Sequence, residues 1–359
     1  MAVVLAAAGA VGLYFVLAWL VRIDARPETA TPEQQKLLAD LVKIALGLAA
    51  GIGAAVALIV GYRRARVDES ASFRDDRRLF SSRYQDAADL IGHEQAAVRL
   101  AGIYAMARLA DDWEEQRQQC IDVLCAYLRL PYEPDTSEPR PQASVKRRRA
   151  QVVAAGKGAR HGEREVRHTV IRLINQHLQP ERDTPPKPPP GWHRHYFDFT
   201  GSVFDGGDFG GAEFSGSSVS FRGARFSGGT VNFGDAAFIG GNIDFGGAEF
   251  FDGTVNFSGA WFAGAKVDFG GAGFSGGTVN FAARFADGTV DFVGARFAGG
   301  TVDFGYAEFS GGTVNFGYAE FAGGTVDLGE AKFSGSLATA RPQGLPVDPI
   351  EGLKLPGWL

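Results

Sequence analysis

The chain has 359 residues, enough for two or three domains, and a formal net charge of −5. Residues 62–196 carry 24 Lys and Arg against 19 Asp and Glu, so +5, whereas residues 197–336 carry 6 against 16, so −10. Neither part is charged strongly enough to indicate a nucleic-acid-binding protein.

Two apolar runs near the N-terminus predict a transmembrane helical hairpin over residues 1–66. Residues 2–21 are uncharged for 20 positions, and residues 44–62 form a second apolar run after a short polar loop. Twenty apolar residues in a helix cross about 30 Å of hydrocarbon. Thr31 and Pro32 are typical of the start of the second helix, because Thr can cap and Pro suits the first turn.

Basic residues around the two spans predict the orientation. Six arginines follow the second span, whereas the loop between the spans and its edges contain four Lys or Arg. The excess places both termini, and the C-terminal domain, in the cytoplasm of a multi-pass plasma-membrane protein. The alternative is a pair of buried helices in a soluble protein.

Residues 67–179 predict a small α-helical module. Apolar residues recur at three- and four-residue spacing over 79–92, 94–110, 114–130 and 164–178. In the second of these helices the predicted buried stripe contains Ala97, Leu100, Ala101, Tyr104, Ala107 and Leu109.

The remaining features of this region are two Pro-rich segments, a basic cluster and two cysteines. A Pro-rich break covers 130–144, and residues 180–196 read as a Pro-rich linker and N-terminal cap. The basic cluster 146–149 could touch anionic lipid headgroups or form a solvated helix face. Cys120 and Cys125 are five apart on one predicted helix, so their thiols diverge, and we expect neither a disulfide nor a metal site there.

Residues 197–336 contain a short repeat marked by phenylalanine. The phenylalanines alternate at intervals of five and seven, with Leu328 as the one substitution and with one residue missing in "FAARF" at 281–285. A small or β-branched residue lies two positions before each, with a mostly polar residue between. The predicted core ladder comprises Phe209, Phe214, Phe221, Phe226, Phe233, Phe238, Phe245, Phe250, Phe257, Phe262, Phe269, Phe274, Phe281, Phe285, Phe292, Phe297, Phe304, Phe309, Phe316, Phe321, Leu328 and Phe333.

This pattern predicts a β-solenoid. Residues two apart on an extended segment point the same way, so Val and Phe face inward and the Asn or Asp between them faces water. Each piece is too short to bury anything alone, and stacked coils give a continuous core. We therefore expect Phe257→Asp or Phe304→Asp to disrupt the stack and Asn256→Asp to be nearly neutral. Residues 191–199 and the tail 337–359 are the predicted caps, and 281–285 should be locally irregular.

The triplets "VNF", "VDF", "AEF" and "ARF", each followed by two small residues, resemble the pentapeptide-repeat motif over about 200–335. With the upstream "AVRLAGIYAMARLA" and "REVRHTVIRLI", the chain is similar to bacterial membrane-associated pentapeptide-repeat proteins. The resemblance implies a right-handed quadrilateral β-helix with four faces per turn. Every second pentapeptide here carries two extra residues. This spacing predicts about 24 residues per turn, and a turn of about 12 residues is the alternative.

No reaction chemistry is predicted. The repeat region contains no His and no Cys, and its carboxylates recur at one outward position, which suits solubility. His193 and His195 have no third ligand nearby and are interpreted as cap residues. We therefore expect a protein that is not an enzyme and has no cofactor, metal or small-molecule substrate.

The predicted function is that of a membrane-anchored scaffold or protein-interaction module with an unknown protein partner. Trp261, Tyr306 and Tyr318 are predicted outward aromatics that could contact it, since large aromatics favour interfaces. The alternative is DNA mimicry, since some pentapeptide-repeat proteins resemble duplex DNA and occupy topoisomerases. A third hypothesis, ice binding, comes from Thr230, Thr254, Thr278, Thr289, Thr301, Thr313 and Thr325, whose hydroxyls we instead expect to bond the corner backbone.

Overall fold

The structure is a computed structural model, and it forms two compact units, Met1–Leu79 and Phe80–Leu359. It describes residues 11–12, 15–16, 19, 32–134, 162–180, 191–311, 313–334 and 353–354. Most of the first predicted span, the basic cluster 146–149, most of the Pro-rich break and linker, and nearly all of the tail lie outside the described residues.

The first described helix, α1, is 60 residues long and runs from Pro32 to Ile91. It joins the second predicted span and the predicted helix 79–92 without a break, because residues 63–78 contain neither Gly nor Pro. Two membrane spans were predicted. Among the described residues, one segment is long and apolar enough to cross a membrane, Val42–Arg66.

The helical module is confirmed, with one buried face reassigned. It contains α2 (Ala96–Asp112), a 3₁₀ turn (Glu114–Gln116), α3 (Arg117–Arg129) and α4 (Glu163–His177). The predicted stripe on α2 is wrong at three positions, since Ala97, Ala101 and Tyr104 are exposed. The buried face instead contains Arg99, Gly102, Ile103, Met106, Ala107, Leu109 and Ala110. Arg99 lies on that face because its guanidinium is fully partnered, which a hydrophobicity pattern does not reveal.

The repeat region is a β-solenoid with four strands per turn, so four flat faces surround one core. Face A consists of β1 (Phe197–Asp198), β5 (Ser218–Ser220), β8 (Asn242–Asp244), β11 (Lys266–Asp268), β15 (Thr289–Asp291) and β19 (Thr313–Asn315). Face B consists of β2 (Val203–Phe204), the first part of β6 (Arg225–Asn232), the first part of β9 (Glu249–Asn256), β12 (Gly273–Phe274), β16 (Arg296–Phe297) and β20 (Glu320–Phe321).

The chain then turns onto the two remaining faces. Face C consists of β3 (Gly207–Asp208), the second parts of β6 and β9, β13 (Thr278–Asn280), β17 (Thr301–Asp303) and β21 (Thr325–Asp327). Face D consists of β4 (Glu213–Ser215), β7 (Ala237–Ile239), β10 (Trp261–Ala263), β14 (Arg284–Ala286), β18 (Glu308–Ser310) and β22 (Lys332–Ser334). Faces B and C form one sheet because β6 and β9 continue around the corner between them.

Strand register selects the longer of the two predicted turns. On face D, Phe214 pairs in parallel with Phe238, and Phe238 pairs with Phe262. The same offset of 24 separates Asn232 and Asn256, whose side chains bond between adjacent turns. The next pair on face D, Phe262 with Phe285, is one residue closer in sequence, so the deletion in "FAARF" is absorbed within one turn.

The predicted irregularity at 281–285 is confined to one corner. There the Ala283 N–H bonds back to the Phe281 carbonyl at 2.5 Å. At other corners the corresponding bond spans one more residue, as from the Ala260 N–H to the Phe257 carbonyl at 3.0 Å. The strands on either side of the deletion keep their register.

The core consists of phenylalanine columns. Rings one turn apart stack nearly parallel, as in Phe233 on Phe257 at 4.9 Å and Phe250 on Phe274 at 4.7 Å. Every predicted ladder side chain that the structure describes is buried except Phe321, which is half-buried. The side chain of Phe333 lies outside the described residues, although its backbone pairs with Phe309.

The ladder begins earlier than predicted. Phe197, Phe199 and Phe204 are also buried, with Phe199 stacked on Phe221 and Phe204 on Phe226. Phe199, Phe204, Phe209 and Phe214 follow one another at intervals of five, so the first turn lacks the extra residues of the later turns.

The helical module packs directly on this first turn as its cap. Helix α3 packs on β1 and α4 on β3, and Trp192 is fully buried behind them. At the other end β23 (Leu353–Lys354) pairs with β21 in parallel and covers part of the last described turn. Both contacts shield strand edges that an open solenoid would expose.

Candidate interaction surfaces and the buried polar cap

The polar residue that follows each buried Val closes the corner of the coil. At Asn256, Oδ1 accepts the Ser258 N–H at 3.0 Å, and Nδ2 donates to Asn232 Oδ1 one turn below at 3.1 Å. Asp244, Asp268 and Asp291 accept the N–H two residues ahead in the same way on face A. This position is therefore half-buried and bonded as well as polar, so we now expect Asn256→Asp to cost stability rather than to be nearly neutral.

Five of the seven predicted threonines form one column on face C. Thr230, Thr254, Thr278, Thr301 and Thr325 pair in register. Among the described residues, none of their hydroxyls bonds the corner backbone, so that explanation for them is wrong. They form a flat row of small outward side chains, while Thr289 and Thr313 lie on face A.

Trp261 lies near the middle of face D and is 43% exposed. Its neighbours in register are Ala237 on one side and Arg284 on the other. The third position of these strands adds Ile239, Ala263 and Ala286, all half-buried. We call Ala237, Ile239, Trp261, Ala263, Arg284 and Ala286 the Trp261 patch. Its apolar centre and single large aromatic match the composition of interface cores.

Tyr306 and Tyr318 lie outside the Trp261 patch, at two different corners of the solenoid. Tyr306 is 73% exposed at the corner between faces C and D, and Tyr318 is 92% exposed at the corner between faces A and B. Both have left-handed backbone, with φ of 63° and 57°. Other turns place Gly259 or Gly294 there, so each tyrosine has a strained backbone conformation while most of its side chain is exposed to solvent.

A polar cluster centred on the buried Asp205 joins the helical cap to the first turn. Asp205 follows the core residue Phe204 and bonds three side chains: His168 Nε2 at 3.0 Å, Tyr132 Oη at 2.6 Å and Arg164 Nε at 3.0 Å. Burial by itself raises the pKa of Asp205. The hydrogen bonds from His168 and Tyr132 and the charges of His168 and Arg164 outweigh it and lower the pKa to about 2.

Two buried arginines complete the cap. Arg167 donates to the Leu128 and Val203 carbonyls at 2.6 and 3.0 Å and lies over the Tyr132 ring at 4.4 Å. Burial lowers the pKa of Arg167. Arg99 forms an ion pair with Glu163 at 3.2 Å and donates to Tyr127 Oη at 3.0 Å, so it ties α2 to α4.

The predicted cap residues around Trp192 also bond protein atoms. Trp192 Nε1 donates to Asp111 Oδ1 at 3.0 Å, and His177 stacks on the indole at 4.0 Å. His193 bonds the Glu213 carbonyl at 2.8 Å, and His195 bonds the His193 carbonyl at 2.9 Å. Within the described residues no group of three or more His, Cys, Asp or Glu could hold a metal ion.

The interactions of Asp205, Arg99 and Arg167 were not predicted from the sequence. One signal was present: "VFDGGDF" puts Asp205 where later turns have Ser227, Ser275 or Ala298. A carboxylate side chain at that position, directly after a core Phe, indicates a hydrogen-bonding or ion-pairing residue from outside the repeat. In contrast, nothing in a helical pattern distinguishes a buried, partnered Arg from a solvated one.

Comparison with known families agrees with this architecture over part of the chain. The comparisons with curated proteins and with solved structures found no match. Residues 199–249 match the family model described as Pentapeptide repeats (9 copies), and this stretch contains the first turns of the solenoid. The match supports the interpretation of this region as a pentapeptide-repeat β-solenoid, a type of module that generally serves structure or interaction rather than catalysis.

Proposed function

We propose that the chain is a membrane-anchored protein-binding module that presents the Trp261 patch to a partner protein at the cytoplasmic face. The observation that carries this proposal is the patch itself. It combines one half-exposed Trp, small apolar neighbours and a flanking Arg on a flat, rigid face. Interfaces are enriched in Trp and Arg, and preformed surfaces lose little conformational entropy on binding.

The anchor is proposed from the segment Val42–Arg66. Its described side chains are exposed, including Leu58, Ile59 and Val60. An apolar helix of 25 residues that is not buried against the protein fits a lipid environment. Arg63, Arg64 and Arg66 lie at the C-terminal end of this segment, which favours a cytoplasmic location for the residues beyond it.

The partner surface is tested by site-specific photocrosslinking in native membranes. A photoreactive amino acid at Ala263 of the full chain should capture a protein, and Trp261→Ser in the same chain should reduce the captured amount at least fivefold. Tyr318→Ser is the matched control, because it removes a more exposed aromatic at a distant corner. Capture that is unchanged by Trp261→Ser, or reduced equally by Tyr318→Ser, would contradict the proposal.

The anchor has its own test. Alkaline carbonate should leave the chain in the membrane pellet, and detergent should release it. Release by carbonate alone would remove the membrane part of the proposal and leave the Trp261 patch to be judged by the crosslinking result.

DNA mimicry has one observation in its favour. Asp244, Asp268 and Asp291 form a column of carboxylates on face A, one per turn. However, Arg222 lies 3.6 Å from Asp244, and Lys266 lies beside Asp268, so the anionic column is interrupted by cations. Inhibition of purified gyrase by the chain would favour this function over protein binding.

A further inference from the structure

Face B carries an ordered pattern of charges on its outward side. The outward residue before each ladder Phe of face B, from the second turn to the sixth, is in order Arg225, Glu249, Gly273, Arg296 and Glu320. All four charged side chains are exposed. We call these five residues the charged column.

The charged column is complementary to itself when its order is reversed. Reversal places Arg225 opposite Glu320, Glu249 opposite Arg296, and Gly273 opposite Gly273. A two-fold axis along the strands, at the level of Gly273, performs this reversal between two copies of the chain. A two-fold axis along the solenoid and through the column would instead oppose each residue to itself, Arg to Arg and Glu to Glu. The pattern therefore selects one antiparallel arrangement.

The residues after each buried Phe fit the same arrangement. They are small at four levels. Phe251, which is 47% exposed, is the exception and lies at a register shift, since Ser227 pairs with Asp252. Under the two-fold axis Phe251 lies opposite Ala298 of the second copy. The full set is Ser227, Phe251, Ser275, Ala298 and Ala322.

Gly273 supplies an independent observation. Its backbone φ is not in the left-handed region, and a Cβ placed there would meet no atom within 4 Å. The fold of one chain therefore does not require glycine at this position, where other turns have long charged side chains. A glycine at the axis lets two faces approach closely, since any side chain there would meet its own copy.

We infer that face B is a self-association surface that pairs two copies of this chain antiparallel through the charged column, with Gly273 on the two-fold axis. Within one chain, Arg296 pairs with Glu320 at 3.1 Å and Arg225 lies over the Phe251 ring at 5.4 Å. In the pair of chains, each of these two arginines also forms an ion pair with a glutamate of the second copy.

The size of the face sets the expected strength. Five strands at ~4.8 Å spacing give a face about 20 Å tall, and three residues along each strand make it about 10 Å wide. The resulting area of about 200 Å² is well below the ~800 Å² per partner of a stable dimer. We therefore expect weak association, and a covalent trap is the suitable measurement.

The first experiment uses the full chain in detergent with Gly273→Cys. Mild oxidation should give a disulfide-linked dimer on a non-reducing gel, because two copies of residue 273 meet at the axis. Thr278→Cys, exposed on face C of the same turn, is the matched control and should stay monomeric. The native Cys120 and Cys125 are buried and should not contribute. No dimer from Gly273→Cys, or equal dimer from Thr278→Cys, would overturn the inference.

The second experiment tests the antiparallel pairing by charge reversal in the Gly273→Cys background. Arg225→Glu and Glu320→Arg should each lower the dimer yield severalfold, and the double variant should restore it. Residues 225 and 320 are four turns apart, about 19 Å within one chain, so rescue arises only between copies. A double variant as monomeric as the single variants would overturn the antiparallel arrangement.

Discussion

Removing one ring from the phenylalanine core should cost far more stability than removing an exposed ring from the same turn. Phe257 is fully buried, stacked on Phe233 at 4.9 Å and Phe281 at 5.0 Å, with Phe245 edge-on at 5.8 Å. The strands above and below hold these neighbours in place, so a cavity left by Phe257→Ala cannot collapse. We expect a loss of about 4 kcal/mol in the free energy of unfolding.

The matched control is Phe251→Ala, in the same turn. That side chain is about half exposed and contacts the Arg225 guanidinium, so its loss should cost under about 1 kcal/mol. Thermal unfolding of the full chain, followed by circular dichroism, should show a melting temperature about 8–16 °C lower for Phe257→Ala and nearly unchanged for Phe251→Ala. Equal shifts for the two variants would refute the inward assignment of the ladder.

Three further predictions concern single side chains. Because the folded pKa of Asp205 is depressed, this residue contributes about 2 kcal/mol to the free energy of unfolding above pH ~4, and the contribution is lost as the pH falls toward about 2. The difference in stability between wild type and Asp205→Asn should therefore disappear over that interval. A difference that does not depend on pH would contradict this prediction. Tyr318→Gly should raise the free energy of unfolding by about 0.5–1 kcal/mol, since relief of the left-handed backbone strain exceeds the conformational entropy that glycine adds to the unfolded chain. Tyr318→Phe, the control, should have no effect. Lower stability of Tyr318→Gly would show that the tyrosine ring makes stabilising contacts. Asn256→Asp should cost about 1 kcal/mol by chemical denaturation, because Nδ2 no longer donates to Asn232, and a neutral result would restore the original expectation for that position.

The repeat was the most predictable part because each turn buries the same residue types at the same positions. The five-and-seven spacing of Phe identifies inward positions, and the register of Phe214 on Phe238 follows from that period once four faces close a turn. Whether one turn contains one or two of these five-plus-seven units was open in the sequence, since both arrangements place Phe on Phe. The observed strand pairing distinguishes them, because Val255 pairs with Val279, 24 residues along the chain, rather than with Val267, 12 residues along.

The polar interactions were less predictable because they join residues that are distant in sequence. Asp205 meets Arg164 and Tyr132 only after α4 packs on the first turn, so no local pattern reveals the cluster. The buried face of α2 was misassigned for the same reason, since Arg99 is buried by a partner on another helix, Glu163 of α4. The sequence pattern shows that the Asn256 side chain points outward. It does not show the hydrogen bond to Asn232, because that bond depends on the number of residues in one turn.

The turn length is the central claim, and a pair of engineered cysteines tests it directly. Thr254 and Thr278 are adjacent in register on face C, so Thr254→Cys combined with Thr278→Cys should form an intrachain disulfide, as Cα atoms about 4.8 Å apart permit. Thr254→Cys combined with Lys266→Cys, one five-plus-seven unit apart but on faces C and A, should remain reduced. A disulfide in the second pair and none in the first would contradict the four-faced coil with two such units per turn.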